Sequence, residues 1–168
     1  MDVSSTGLVL RPSWRFLVRH PAHFIAFGAG VGLAPFAPGT FGTLLALPLY
    51  WLIAPELGPY DYLLVVGGLF ILGIWACDVA GRALGAADHG GMVWDEVVAF
   101  MLVLFFVPAT PVWQAAAFVL FRVFDILKPP PIRYYERIFK NGFGVMLDDI
   151  VAALYTLIVF AIAKTIIG

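Results

Sequence analysis

Seven carboxylates stand in or beside apolar runs of this 168-residue chain: Asp78, Asp88, Asp95, Glu96, Asp125, Asp148 and Asp149. An ionised carboxylate facing hydrocarbon costs roughly 2.5–3.5 kcal/mol even on the insertion scale, so each must meet water, a partner or a cation. Clustered hard oxygen donors suit a divalent cation such as Mg2+. The seven acids are therefore the expected seat of function.

The first cluster is Asp88-His89-Gly90-Gly91-Met92-Val93-Trp94-Asp95-Glu96, leading into the apolar run 97–107. Asp95 and Glu96 favour a helix N-terminus through the macrodipole. Alternatively, a Gly90-Gly91 turn returns Asp88 to the helix start, so that several oxygens converge on one cation. His89 is a lone loop histidine, and such residues usually serve the loop. The second cluster is Arg122-Val123-Phe124-Asp125-Ile126-Leu127-Lys128-Pro129-Pro130-Pro131. The prolines end a helix near Leu127 and push Lys128 toward extended backbone. Asp125 then occupies a C-terminal turn, where the dipole opposes an anion, so a ligand role competes with an (i, i+3) pair to Arg122 or Lys128. Lys128 itself has the compact ammonium suited to a phosphate oxygen.

The third cluster, Asn141-Gly142-Phe143-Gly144-Val145-Met146-Leu147-Asp148-Asp149, precedes the last apolar run. One aspartate reads as a helix N-cap, whereas two adjacent carboxylates repel unless a cation lies beside them. Gly142 and Gly144 permit close backbone approach. Asp78 is explained by an (i, i+4) pair with Arg82.

The elements that must position these acids are membrane helices. The chain is 62% hydrophobic and only 12% charged, and its mean hydropathy is +0.95. Ordinary soluble domains carry about 25% charged residues. A net charge of −1 offers no basic surface to nucleic acid. The lone Cys77 excludes an intrachain disulfide and a cysteine zinc cluster. The first twenty residues lack an apolar core followed by a small-residue cleavage site, so no removable signal is expected.

Apolar runs fall at about 24–34, 42–54, 62–77, 97–107, 112–127 and 150–167. In lipid they read as helices, and several must extend through their polar ends to reach the about 20 residues of a perpendicular span. The expected fold is an all-α, compact membrane-embedded bundle of about five spans, with 24–34 as an interfacial or re-entrant helix. After it, Pro35, Pro38 and the glycines around them predict a break and a fresh helix start at Thr40 or Thr43. Residues 1–23 form a cytoplasmic N-terminal segment and 24–168 a single domain. Arg11, Arg15 and Arg19 precede the first span; Arg82 lies in loop 78–96, and Lys128, Arg133, Arg137 and Lys140 in loop 128–149. Loops 55–61 and 108–111 have no Lys or Arg. The positive-inside rule assigns the basic side, and with it every singled-out acid, to the cytoplasm. Lys164, near the far end of the last run, is expected to snorkel to the opposite interface.

Common phosphotransfer signatures are absent. Cys77 and Arg82 stand one residue too close for a cysteine-phosphatase loop. Gly28-Ala29-Gly30-Val31-Gly32 lacks the last spacing of a dinucleotide fingerprint and the Lys-Ser/Thr of a P-loop. Carboxylates and a metal remain, and they suit phosphate esters. Four blocks in order carry a resemblance: 32–43 (Gly-Leu-Ala-Pro-Phe-Ala-Pro-Gly-Thr-Phe-Gly-Thr), 88–96, 122–129 and 142–149. Together they resemble the phosphatidylglycerophosphatase A family over about residues 24–160. The resemblance implies a bacterial inner-membrane phosphatase, multi-pass, with its site facing the cytoplasm. It would remove the terminal phosphate of phosphatidylglycerophosphate and require Mg2+.

On this reading the metal is held by a subset of Asp88, Asp95, Glu96, Asp125, Asp148 and Asp149, and water attacks phosphorus in line. Asp95, Glu96, Asp125 and Lys128 are the catalytic candidates. Thr40, Thr43 and Lys128 are the phosphate-side candidates, from helix-start and cationic chemistry. Two rivals come from other classes. A CDP-alcohol phosphotransferase would open with Asp-Gly-x-x-Ala-Arg, whereas the run here is Asp78-Val79-Ala80-Gly81-Arg82. A transporter or scaffold would normally carry its ionisable groups near the bilayer midplane instead of at one rim.

Overall fold

Proline starts four of the α-helices among the described residues. Its fixed φ and missing N–H suit the first helical position, and it opens α2 (Pro21–Ala26), α3 (Pro38–Ile53), α4 (Pro59–Leu84) and α6 (Pro111–Leu127). The computed structural model describes residues 12–167. Arg11 and the rest of segment 1–11 lie outside the described residues. The remaining elements are α1 (Trp14–Leu17), α5 (Trp94–Phe106), α7 (Ile132–Ile138) and α8 (Gly142–Ile167), with 3-10 segments at Gly28–Leu33 and Ala54–Glu56. No strand occurs among the described residues.

α5 is the axle of the bundle. Val97, Val98, Ala99, Phe100, Met101, Val103 and Leu104 are all fully buried, and the helix packs against α3, α4, α6 and α8. The outer surface is apolar as well: Leu52, Leu64, Ile71, Val119, Ile158 and Ile166 are exposed. A helix bundle that is hydrophobic inside and outside is built for a hydrocarbon surround. Two helices, Pro59–Leu84 and Gly142–Ile166, are long and apolar enough to cross a membrane. At 1.5 Å per residue, the 26 residues of α4 reach about 39 Å, whereas the 13 of α5 reach only about 20 Å. The loop before the short central helix is tied to α2, where the Val93 N–H donates to the Ala26 carbonyl at 2.8 Å.

Several boundaries differ from the sequence expectation, each for a local reason. Segment 24–34 is not one helix: α2 stops at Ala26, and Gly28, Ala29 and Gly30 take positive φ. The next helix starts at Pro38, ahead of both threonines, behind a left-handed Ala37. Lys128 is left-handed (φ 42°, ψ 63°), not extended. The following proline disfavours only right-handed helix, and the left-handed turn lets the Lys128 N–H reach the Phe124 carbonyl at 2.9 Å. α4 runs on to Leu84, which shortens the loop expected at 78–96, and α7 occupies part of the loop expected at 128–149.

The start of α8 matters most for the site. The helix begins at Gly142, and Asn141 Oδ1 accepts the Gly144 N–H at 3.0 Å. Asp148 and Asp149 therefore lie in its second turn and are not N-caps. Gly142 sits against the Ile74 carbonyl and Asp78 of α4, where any Cβ would collide. The glycine is a site of close backbone approach, as its sequence suggested, and what approaches it is α4.

Candidate active site

Three chain segments deliver the acids to one place. The loop before α5 and that helix's first turn bring Asp88, Asp95 and Glu96; the end of α6 brings Asp125 and Lys128; the second turn of α8 brings Asp148 and Asp149. Together with Gly90, Met92 and Val145 they line a cavity of about 150 Å3. All six metal candidates and Lys128 thus share one enclosure, whereas Thr40 and Thr43 do not line it. Asp78 stands apart, in a neighbouring cavity of about 220 Å3. It pairs with Arg82 at 2.5 Å and accepts the Gly142 N–H at 3.4 Å.

The acids are sequestered. Asp95, Asp148 and Asp149 are 7%, 4% and 3% exposed, although Asp88 at the mouth is open. Asp95, Glu96 and Asp149 each offer an oxygen within 4.8 Å of the other two. Asp95 Oδ1, Glu96 Oε2 and Asp149 Oδ2 are buried without a hydrogen-bond partner. A buried carboxylate oxygen in that condition is costly, and converging carboxylates repel. Hard divalent cations take oxygens at about 2.0–2.6 Å from the metal, which sets ligand oxygens about 3–5 Å apart. The donor set and its spacing fit such an ion.

Two cations meet the acids, Lys128 on the cavity wall and Arg122 behind it. Lys128 Nζ lies 3.5 Å from Asp148 Oδ2. Arg122 Nη1 lies 2.5 Å from Asp125 Oδ2 and 3.3 Å from Glu96 Oε1, and donates to Thr43 Oγ1 at 3.3 Å. The pair with Asp125 is the (i, i+3) contact expected from spacing. The contacts to α5 and α3 are not legible in local spacing, and Arg122 was missed as a site residue for that reason. Thr43 is fully buried, with its hydroxyl donated to the Gly39 carbonyl at 2.9 Å, so it faces the protein interior behind the cavity. Thr40 is half-buried in the first turn of α3. His89 Nδ1 accepts the Gly91 N–H at 3.0 Å and so closes the glycine turn.

Larger cavities of about 790 and 580 Å3 run along α6 and α8, lined almost wholly by apolar side chains, with Lys164 at the edge of the first. Their chemistry is that of a lipid-facing surface, and none of the six metal candidates lines either of them.

An all-helical bundle with two helices long and apolar enough to cross a membrane, and a buried carboxylate centre at one set of helix ends, defines the class. The sequence profile of phosphatidylglycerophosphatase A matches residues 24–164. Phosphatidylglycerophosphatase A of Haemophilus influenzae is 43% identical over 153 residues, covering 90% of this chain and 94% of the relative. Its Escherichia coli namesake is 40% identical over 141 residues, covering 83% and 81%. A Bacteroides thetaiotaomicron protein with the provisional name phosphatidylinositol-3-phosphatase is 41% identical over 152 residues, covering 86% and 94%. No solved structure matches the chain. The chain belongs to the phosphatidylglycerophosphatase A family.

Proposed function

We propose that the protein is a Mg2+-dependent lipid phosphatase that hydrolyses the terminal phosphomonoester of phosphatidylglycerophosphate, giving phosphatidylglycerol and phosphate. Family membership supports the reaction, and the carrying observation for its chemistry is the trio of unpartnered carboxylate oxygens on Asp95, Glu96 and Asp149. Asp95, Glu96 and Asp149 are the residues to hold a divalent cation, with Asp88 at the mouth and Asp125 and Asp148 on the wall. When bound, such an ion supplies Lewis acidity toward a phosphoryl oxygen and a water acidic enough to attack phosphorus.

The chain's own groups supply the rest. Lys128, on the cavity wall beside Asp148, sets a positive charge where the transferring phosphoryl group gathers negative charge. A carboxylate not engaged with the cation orients the attacking water, accepts its proton and returns it to the glycerol oxygen as the P–O bond breaks, so the alcohol leaves neutral. The small cavity admits a phosphomonoester but not a glycerolipid, so the acyl chains stay outside it.

The same reading takes the protein as a single multi-pass domain, residues 24–168, of the bacterial inner membrane. α3, α4, α5, α6 and α8 traverse the bundle, the shorter ones completed by their polar ends. The basic loops and the acidic cavity face the cytoplasm by the positive-inside rule. The diacylglycerol part then remains in the cytoplasmic leaflet while its head group reaches the rim.

Phosphate release from purified protein tests the proposal, with phosphatidylglycerophosphate, phosphatidate and phosphatidylinositol-3-phosphate in parallel vesicles. Turnover is expected with the first lipid, to stop in EDTA and to return with Mg2+. Undiminished turnover in EDTA would remove the metal from the mechanism. Preference for the phosphoinositide would move the chain to the activity named for its Bacteroides relative.

A further inference from the structure

The block 38–43 of α3, Pro-Gly-Thr-Phe-Gly-Thr, lines no part of the acidic cavity, yet it meets two of the site's residues from behind. We propose that Arg122, seated on the Gly39-to-Thr43 face of α3, is a positioning residue that holds Glu96 and Asp125 in their working places. This rests on the phosphatase reading and adds to it the part played by α3.

Hydrogen-bond direction makes the seat specific. Thr43 Oγ1 donates its proton to the Gly39 carbonyl at 2.9 Å, so its lone pairs are left to accept from Arg122 Nη1 at 3.3 Å. The same Nη1 reaches Asp125 Oδ2 at 2.5 Å and Glu96 Oε1 at 3.3 Å. One guanidinium therefore ties α3, α5 and α6 at a point where the side chains of Arg122, Glu96 and Asp125 are only 14%, 12% and 12% exposed. All three contacts fall on Nη1, which the planar guanidinium carries at a fixed angle from the stem, a direction a freely rotating ammonium does not hold.

Gly39 explains how α3 comes close enough. A Cβ there would fall onto Glu96 Oε1 and stand 3.0 Å from Arg122 Nη2, and one at Gly42 would stand 3.1 Å from Glu96 Oε2. α3 can close over the ion pair only where it has no side chains. With Oε1 tied to Arg122, Glu96 keeps Oε2 unpartnered, and its carboxylate stays beside those of Asp95 and Asp149. Lys128, on the cavity wall, lies 3.5 Å from Asp148 Oδ2. Without the tie, Glu96 and Asp125 would repel each other and turn to other rotamers.

The test uses full-length protein in detergent and three readouts: kcat and KM for phosphate release, Mn2+ affinity by electron paramagnetic resonance, and the thermal midpoint. Thr43→Val keeps the shape and removes the acceptor; kcat should fall about tenfold, the scale of one hydrogen bond to a charged group, with KM little changed and Mn2+ bound more weakly. Thr43→Ser restores the hydroxyl and should recover both readouts. Gly39→Ala puts the better helix former into α3 yet displaces Glu96, so kcat should fall roughly a hundredfold without loss of thermal midpoint. Should Thr43→Val prove unstable, Arg122→Lys keeps the charge without the fixed direction and should show the same loss of kcat. Wild-type kcat and Mn2+ affinity in Gly39→Ala or Arg122→Lys, or equal impairment of Thr43→Ser and Thr43→Val, would overturn the seat while leaving the phosphatase intact. Wild-type protein inert toward both Mn2+ and lipid would overturn the parent reading and this one with it.

Discussion

Replacing Asp149 with asparagine should remove activity and, in the absence of divalent cations, make the protein harder to unfold. The two effects share one cause. Asp149 is 3% exposed, and one of its oxygens lies within 4.8 Å of oxygens of both Asp95 and Glu96. Two unit charges at that separation repel by about 3.5 kcal/mol at an effective dielectric constant of about 20. Side-chain relaxation and the nearby Lys128 and Arg122 offset most of this, leaving on the order of 1 kcal/mol net, or roughly 2–4 °C in Tm for a chain of this size. Asparagine matches the volume and keeps an acceptor, so packing is conserved while a charge is removed.

The bound state reverses the sign. A cation that binds only the folded protein stabilises it by about 2.7 kcal/mol at a hundred times its Kd, and the variant should lose most of that gain. Turnover should fall at least about a hundredfold, the scale of losing one electrostatic contact to the transition state. Cys77 is fully buried, so its reaction with a fluorogenic maleimide on heating reports unfolding directly. Four melting curves suffice: wild type and Asp149→Asn, each in EDTA and in Mg2+. The reasoning fails if the variant melts lower than wild type in EDTA and gains as much from Mg2+, because Asp149 would then be a structural residue.

Asp78→Asn should be mild. Its partner Arg82 is 73% exposed, and a surface (i, i+4) pair contributes only about 0.3–0.5 kcal/mol. Turnover within about threefold of wild type is expected, and a loss as deep as that of Asp149→Asn would draw Asp78 into the site. Cys77→Ala, which avoids burying a hydroxyl, should keep its activity because the nucleophile is water; a folded but dead variant would point to the thiol. In that cysteine-free background, a cysteine placed at Lys140 should react with an impermeant maleimide only after the inner face of the membrane is opened. Labelling in intact cells would invert the topology.

What the sequence disclosed and what it withheld divide along the range of the interactions. The acids, the helices and the end of α6 were legible because a carboxylate beside an apolar run, or a run of prolines after a helix, acts within a few residues of itself. Asp78 with Arg82 and Asp125 with Arg122 are contacts of that kind. The start of α8 was misjudged because the apolar run begins only at 150 and an aspartate before it reads as an N-cap; the helix in fact starts at Gly142, and the close approach permitted at 142 and 144 is to α4 and to the Phe139 carbonyl. Arg122 was read only toward Asp125, its neighbour on the same helix. Its other partners, Glu96 and Thr43, are 26 and 79 positions away, a separation at which spacing conveys nothing. The same limit explains Thr43, whose helix-start chemistry suggested a ligand but whose fully buried hydroxyl faces the protein. A residue type states what a side chain is able to do. Only the packing of α3 against α5 and α6 decides whether it does so toward a ligand or toward the residues beside it.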